Sequence, residues 1–193
     1  MSDGGSGIWQ ALLSSGQYVA TDADYEHGYD RQIRDDLVRV VAFRVGSEVH
    51  ALPIRQVREV TRYFQLTEVP RTNTYLRGVG MLRGALIPVI CLASRLGMAP
   101  SNISRRSRVV IVGMDAQYFG LLVDSVEGVM AIPPEELREP PSVLVGGAGV
   151  PPRDFVFALA RTDAGLVVVL NAATVIVPAD FVAPRYRAKM RGR

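Results

Sequence analysis

The chain lacks most of the groups from which enzymes and metal sites are built. It contains one cysteine, Cys91, and two histidines among 193 residues. A single cysteine excludes an intramolecular disulfide and any site built from several thiolates, which is typical of a reducing compartment. Because Cys91 lies in an apolar run, we expect it to be a buried small hydrophobic residue.

Long apolar runs are also missing. No stretch reaches the roughly 18 apolar residues of a membrane-spanning helix, because Pro88 interrupts residues 86–93 and Asn171 ends the run 166–170. The N-terminal residues show no basic segment followed by an apolar core, as a secretion signal would. These absences predict a cytoplasmic protein without direct membrane insertion.

The histidines and glycines are poorly placed for catalysis. His27 lies in a polar N-terminal segment and His50 in a predicted strand, and neither is near a candidate nucleophile or metal ligand. Residues 78–84 resemble a dinucleotide-binding loop, but Arg83 occupies the place of the third glycine and a strand follows instead of a helix. We therefore predict no enzyme, no catalytic residue, no cofactor and no metal site.

Positive charge is concentrated in two places. Five of the last nine residues are basic, and Arg105, Arg106 and Arg108 form a second group in a chain whose net charge is +3. The only aromatic residue within these groups is Tyr186, and the rest of the chain has no basic excess. Solvated surface explains this pattern better than a nucleic-acid interface. We expect no nucleic-acid partner, and keep polynucleotide binding as an open alternative.

One segment of the chain occurs twice. Residues 48–60 and 117–129 share their order of apolar and small residues at an offset of 69, so that Leu52 aligns with Leu121. A second similarity relates residues 84–92 to residues 164–172 at an offset of 80. Two similarities in the same order favour a duplicated structural unit.

Most of the chain has the pattern of a β protein. Short runs rich in β-branched and aromatic residues alternate with Gly, Pro and Asn, which is typical of barrels or a sandwich. Gly46-Ser47 is a predicted hairpin turn. Strands are predicted at 38–45, 48–54, 66–69, 76–81, 85–90, 109–113, 118–123, 129–132, 155–160 and 166–170, and short helices at 55–60, 92–96, 133–137 and 171–175. The repeat predicts an all-β fold of two small β-barrels packed on a shared apolar interface.

Composition also suggests where the chain divides. The predicted segments are a loosely ordered N-terminal extension (1–37), a β domain (38–178) and a basic C-terminal tail (179–193). Within the β domain we predict a first barrel at about 38–97, a linker at 98–108 and a second barrel at about 109–178.

Seven short motifs occur in an order that is characteristic of one family. They are Val40–Phe43, Ala51–Ile54, Val57–Val60, Val69-Pro70, Gly78–Gly84, Pro88–Leu92 and Gly120–Val126. In this order they resemble the CheW family of bacterial chemosensory coupling proteins. The family's usual Asn before Leu-Arg-Gly is Met81 here, and its usual Asp after Pro-Val-Ile is Cys91. These departures suggest an accessory chemosensory system, such as one that controls surface motility.

The resemblance implies a fold and a function. The fold is a pair of five-stranded SH3-like β-barrels with a few short helices. The function is that of a non-enzymatic adaptor between a chemoreceptor's cytoplasmic tip and the regulatory domain of a CheA-type histidine kinase. An alternative of another class is a small β-barrel ligand-binding protein or enzyme, with a site between the two barrels.

The resemblance also implies a receptor-binding side formed by Val57, Glu59, Val60, Gly78 and Arg83, whereas the residues on the kinase side are unknown. Val57 and Val60 are three residues apart, so on a short helix they would present one apolar stripe to a receptor helix or to the core. Glu59 would end this helix and pair with Arg83 at the turn before Gly84.

Overall fold

The computed structural model describes residues 37–70, 73–114, 117–141, 152–163 and 165–177. The expectations for the N-terminal extension and the basic C-terminal tail therefore fall almost wholly outside the described residues. The same is true of most of the Pro- and Gly-rich loop between residues 139 and 152.

The described residues form eleven strands and a few short helices, and the all-β prediction is confirmed. The strands are β1 (Val38–Val45), β2 (Glu48–Pro53), β3 (Val57–Arg62), β4 (Leu76–Leu82), β5 (Ala85–Cys91), β6 (Arg108–Met114), β7 (Gln117–Val123), β8 (Ser125–Ile132), β9 (Leu137–Arg138), β10 (Val156–Thr162) and β11 (Gly165–Leu170). The helices are α1 (Leu92–Arg95) and α2 (Ala172–Val175), with 3₁₀ turns at Ile54–Gln56, Pro134–Glu136 and Arg153–Phe155.

The strands form two sheets. Sheet I has the order β8-β1-β2-β11-β10-β9, and sheet II has the order β3-β6-β7-β5-β4. Neighbouring strands are antiparallel except in the pairs β2–β11 and β5–β7, which are parallel. Each sheet therefore contains one parallel pair at its centre, which is the first structural sign of the duplication.

Strand registers confirm that the unit is duplicated. In sheet II, Val89 of β5 lies opposite Gly120 of β7, and in sheet I, Val169 of β11 lies opposite Ala51 of β2. The two sequence offsets convert one pair into the other. The register shifts beside Gly78 in the β4–β5 pair and beside residue 158 in the β10–β11 pair, again at equivalent positions. The repeat therefore preserves hydrogen-bond register as well as apolar spacing.

The two copies exchange strands. β1 and β2 of the first copy join β8 to β11 in sheet I, whereas β6 and β7 of the second copy join β3 to β5 in sheet II. Sheet II is thus formed by residues 57–123, and sheet I by residues 38–53 and 125–170. The predicted linker at 98–108 separates the two sequence copies, but not the two sheets. The chain crosses from one sheet to the other twice, at the β2–β3 connection and at the β7–β8 connection.

A large apolar cluster joins the sheets, as the predicted shared interface requires. It combines Phe43 and Leu52 from sheet I with Val110, Phe119 and other residues of sheet II. Each sheet also has a smaller core of its own. The core of sheet I comprises Val40, Ala42, Val49, Ala51, Ile132, Ala158, Ala160, Val167 and Val169. The core of sheet II comprises Ile87, Val89, Val109, Ile111 and Leu122. Cys91 is buried in the shared cluster, as expected.

Several local predictions are confirmed and others need correction. The chain turns at Gly46-Ser47, where Gly46 has a φ of +60° that glycine adopts without strain. The predicted helix at 55–60 is wrong, because the 3₁₀ turn ends at Gln56 and Val57 begins β3, which pairs with β6. The predicted strand at 66–69 is reduced to one bridge between Thr67 and Val79. The predicted helix at 133–137 is a 3₁₀ turn followed by β9.

His50 is a polar residue within the apolar interior. Its Cα partner on β1 is Phe43, its equivalent in the second copy is Phe119, and its side chain has no exposed surface. Burial lowers the pKa of His50 from 6.5 to about 4, so the imidazole is neutral at physiological pH. Its contact with Glu48, at 3.5 Å between Nε2 and Oε2, is therefore not an ion pair. Neither ring nitrogen has a hydrogen-bond partner among the described residues.

We expect His50→Phe to stabilise the protein most strongly at mildly acidic pH. Between pH 6.5 and pH 4 the unfolded chain binds a proton that the folded imidazole does not bind, so stability falls as the pH falls. With these pKa values, the wild type should lose about 2 kcal/mol more than His50→Phe between pH 7.5 and pH 5. Urea unfolding at the two pH values measures this difference. Equal losses in both proteins would contradict the assignment.

Candidate partner-binding site

Glu59 and Arg83 form an ion pair on the surface of sheet II. The Arg83 Nη2 atom lies 2.8 Å from the Glu59 Oε2 atom, which confirms the predicted pairing. Glu59 is on β3 and not at a helix end, and Arg83 is in the turn between β4 and β5. The Arg83 side chain is 78% exposed and that of Glu59 is 28% exposed. Because solvent screens such a pair, it adds only about 0 to 1 kcal/mol to stability.

The turn that carries Arg83 has an uncommon backbone. Arg83 has a φ of +51° and Gly84 a φ of +83°, as in the two-residue type I′ turns that join antiparallel strands. A left-handed conformation costs a residue with a side chain on the order of 1 kcal/mol, and Asn or Gly are the usual residues there. The chain therefore places a long cation at a position where it is disfavoured for folding. Such a local cost is often found at functional sites.

A pocket of ≈ 400 Å³ lies beside the ion pair. Its lining comprises Arg58, Glu59, Leu82, Arg83, Ala85, Ile87, Ile111 and Tyr118. All of these residues belong to sheet II or to its β4–β5 turn, so the pocket does not lie between the two sheets, where the alternative of an enzyme or ligand-binding barrel would place its site. Its polar groups are an ion pair, a second arginine and a tyrosine.

The other residues expected on the receptor side have different environments. Val57 packs against the shared core, whereas Val60 is 38% exposed, so the two valines do not form one stripe. Gly78 is buried, and a Cβ atom there would lie 2.6 Å from the Thr67 carbonyl oxygen. Its φ of +147° also favours glycine. Gly78 therefore serves chain packing, and the structure brings together only Glu59 and Arg83 of the five.

Sequence reasoning missed most of the pocket lining. Ile111 and Tyr118 come from β6 and β7, which belong to the second sequence copy and reach this site only through strand exchange. No local pattern could have placed them beside Glu59. Arg58, in contrast, immediately precedes Glu59 in a quoted motif, and its charge was a signal that could have been used.

Val57 and Val60 provide a matched pair for testing which face of β3 packs against the core. We expect Val57→Asp to lower the free energy of unfolding by about 2 to 3 kcal/mol, because it places a charge against the shared core. Val60→Asp should change it by less than about 1 kcal/mol, since that side chain is exposed. Thermal and urea unfolding measure both values. Equal destabilisation by the two substitutions would contradict the assigned orientation of β3.

Within the described residues, no group of three or more His, Cys, Asp or Glu side chains could hold a metal ion. None of the helices in this part of the chain is both long enough and apolar enough to cross a membrane.

Known proteins share both the sequence motifs and the fold of this chain. The sequence pattern of the CheW-like domain matches residues 39–178. A probable chemotaxis protein CheW of Rhizobium etli is 34% identical over 104 residues, which cover 54% of this chain and 67% of the relative. Protein FrzA of Myxococcus xanthus is 36% identical over 100 residues, or 51% of this chain and 62% of FrzA.

A solved structure shares the fold. The crystal structure of the scaffolding protein TtCheW from Thermoanaerobacter tengcongensis matches with a TM-score of 0.66 and 31% sequence identity, over 74% of this chain and 90% of that chain. This match confirms the expected SH3-like β architecture; sheet I has a sixth strand only through the two-residue β9. Since the domain match spans both copies of the repeat and more than half of the sequence, the chain belongs to the CheW-like domain family.

Proposed function

We propose that this protein is a non-enzymatic adaptor that couples chemoreceptors to a CheA-type histidine kinase in bacterial chemotaxis or motility signalling. It would act in the cytoplasm, where receptor tips and the kinase meet. Family membership supports the general role. The observation that carries the specific proposal is the Glu59–Arg83 ion pair at the edge of the sheet II pocket.

The pair is suited to shaping a surface for a partner. Glu59 is held by strand β3, which pairs with β6, and Arg83 is held by a two-residue turn. The 2.8 Å contact therefore joins the turn to β3, the strand at the opposite edge of sheet II. The pocket beside this pair has apolar walls that could accept side chains from one face of a receptor helix. We assign this surface to the receptor, and the kinase binds elsewhere on the protein.

The departures from the family pattern support an accessory or motility-type system. Met81, at the usual Asn position, is 63% exposed and lies two residues before Arg83. Cys91, at the usual Asp position, is buried in the shared core. The first departure changes the surface that a partner meets, and the second changes the interior. The Met81 side chain is therefore the one that would alter partner choice.

We expect Arg83→Ala to uncouple the kinase from the receptor without unfolding the protein. The exposed guanidinium contributes little to stability, so the melting temperature should stay within about 2 °C of wild type. Receptor-dependent kinase activity, measured with purified receptor fragment and kinase from the same genome, should fall by about fivefold or more. Arg77→Ala is the matched control, because Arg77 is exposed on β4 but does not line the pocket.

Reversing both charges tests the pair itself. Glu59→Arg combined with Arg83→Glu should restore part of the lost coupling, whereas each reversal alone should not, because only the double variant keeps opposite charges in contact. Wild-type kinase control in the Arg83→Ala protein would show that Arg83 is an ordinary solvated arginine. Equal losses in Arg83→Ala and Arg77→Ala would show a general effect of charge.

A further inference from the structure

The pocket beside the ion pair carries one positive charge that the described residues do not balance. Glu59 and Arg83 neutralise each other at 2.8 Å. Arg58 also lines the pocket, and it is exposed and makes no hydrogen bond or ion pair with any described residue. The pocket therefore combines apolar walls with a free guanidinium at its rim. Such a pairing of groups fits a ligand that is part apolar and part anionic.

The duplication shows that the fold can neutralise a charge at this position. The offset of 69 places Arg58 over Glu127, and both residues lie at the register shift of their strand, β3 or β8. Glu127 Oε1 accepts hydrogen bonds from Arg44 Nε at 3.2 Å and from Ser125 Oγ at 3.0 Å. In the second copy, then, the protein supplies the counter-charge itself.

The first copy lacks the corresponding partner. The same offset places Arg44 over Gly113 of β6, and glycine has no side chain to offer. Strand β3 pairs with β6 in the same way as β8 pairs with β1. The backbone would therefore allow a side chain on β6 to be a cross-strand partner for Arg58. The charge of Arg58 therefore has no counter-charge among the described residues, beside the pocket and its ion pair.

We propose that Arg58 binds a carboxylate side chain of the receptor segment that docks at this site, and so sets the charge preference of the pocket. This inference rests on the proposed receptor-binding function. The planar guanidinium can donate two parallel hydrogen bonds to one carboxylate. A neighbouring apolar side chain of the same segment then lies in the pocket against Ile87 and Ile111. Arg83 stays engaged with Glu59 and frames the site.

The test compares variants of the full-length protein for binding to the purified cytoplasmic fragment of a chemoreceptor from the same genome. Arg58→Glu should weaken binding by about tenfold or more, and Arg58→Gln by about threefold or more. Arg58→Lys should keep part of the affinity, since it keeps the charge but not the paired hydrogen bonds. The matched control is Arg62→Glu, because Arg62 is exposed on the same strand but does not line the pocket. It should change affinity by less than about twofold.

A charge-reversal scan of the receptor fragment identifies the counter-residue. Each Asp and Glu of the fragment is changed to Lys and tested against wild type and Arg58→Glu. One of these fragment variants should bind the Arg58→Glu protein more tightly than it binds the wild-type protein, which would establish the contact. Melting curves of each variant show that the fold is intact.

The outcomes separate this inference from the proposed function. Unchanged binding by Arg58→Glu, in a protein whose wild type binds the fragment, overturns the role of Arg58 and leaves receptor binding in place. Equal weakening by Arg58→Glu and Arg62→Glu also overturns it, because the effect would then be long-range attraction. Failure of the wild type to bind the fragment overturns both.

Discussion

The exchange of strands between the two copies is the constraint on which the rest of the structure depends. Neither the β1–β2 hairpin nor the β6–β7 hairpin could bury both of its faces alone. Each completes the sheet of the other copy, and the chain between them leaves one apolar cluster common to both sheets. The site depends on the same exchange, because Ile111 and Tyr118 of the second copy line the pocket beside Glu59 of the first.

The two copies share their backbone arrangement but differ in the side chains at equivalent positions. Tyr75 and Phe155 are equivalent at the offset of 80, and the Arg95 guanidinium lies 4.7 Å and 4.5 Å from their ring centroids. Arg95 also donates hydrogen bonds to the carbonyls of Val175 at 2.8 Å and Thr174 at 3.2 Å. Val175 is the equivalent of Arg95, so one copy supplies the cation and the other its acceptors. The same divergence places Asp163 over Arg83 and Gly128 over Glu59, which leaves the ion pair in one copy only.

The local sequence pattern predicted those features of the protein that depend on local structure. Strand positions and the duplicated unit follow from alternation and spacing. The Glu59–Arg83 pair, in contrast, was expected only from the resemblance to the family, since β3 and β4 are the opposite edge strands of sheet II. Strand exchange could not be predicted, because an alternating apolar strand has the same pattern whichever sheet it joins. The helix predicted at 55–60 was wrong for a related reason. Val57 and Val60, three residues apart, satisfy a helical face, whereas pairing with β6 requires a strand. The pocket lining was missed because it is assembled from five strands.

The packing of sheet II limits how the proposed binding site could discriminate between partners. Ile87 and Ile111 line the pocket, yet each is only 2% exposed and belongs to the core of the sheet. Changing either residue to fit a new partner would disturb a close-packed interior, so the apolar walls cannot vary freely. Exposed residues at the rim carry no such penalty. Under the proposed function, such an adaptor could keep a constant apolar pocket and change its partner through charge. Among the described residues, the rim charge without an internal partner is Arg58.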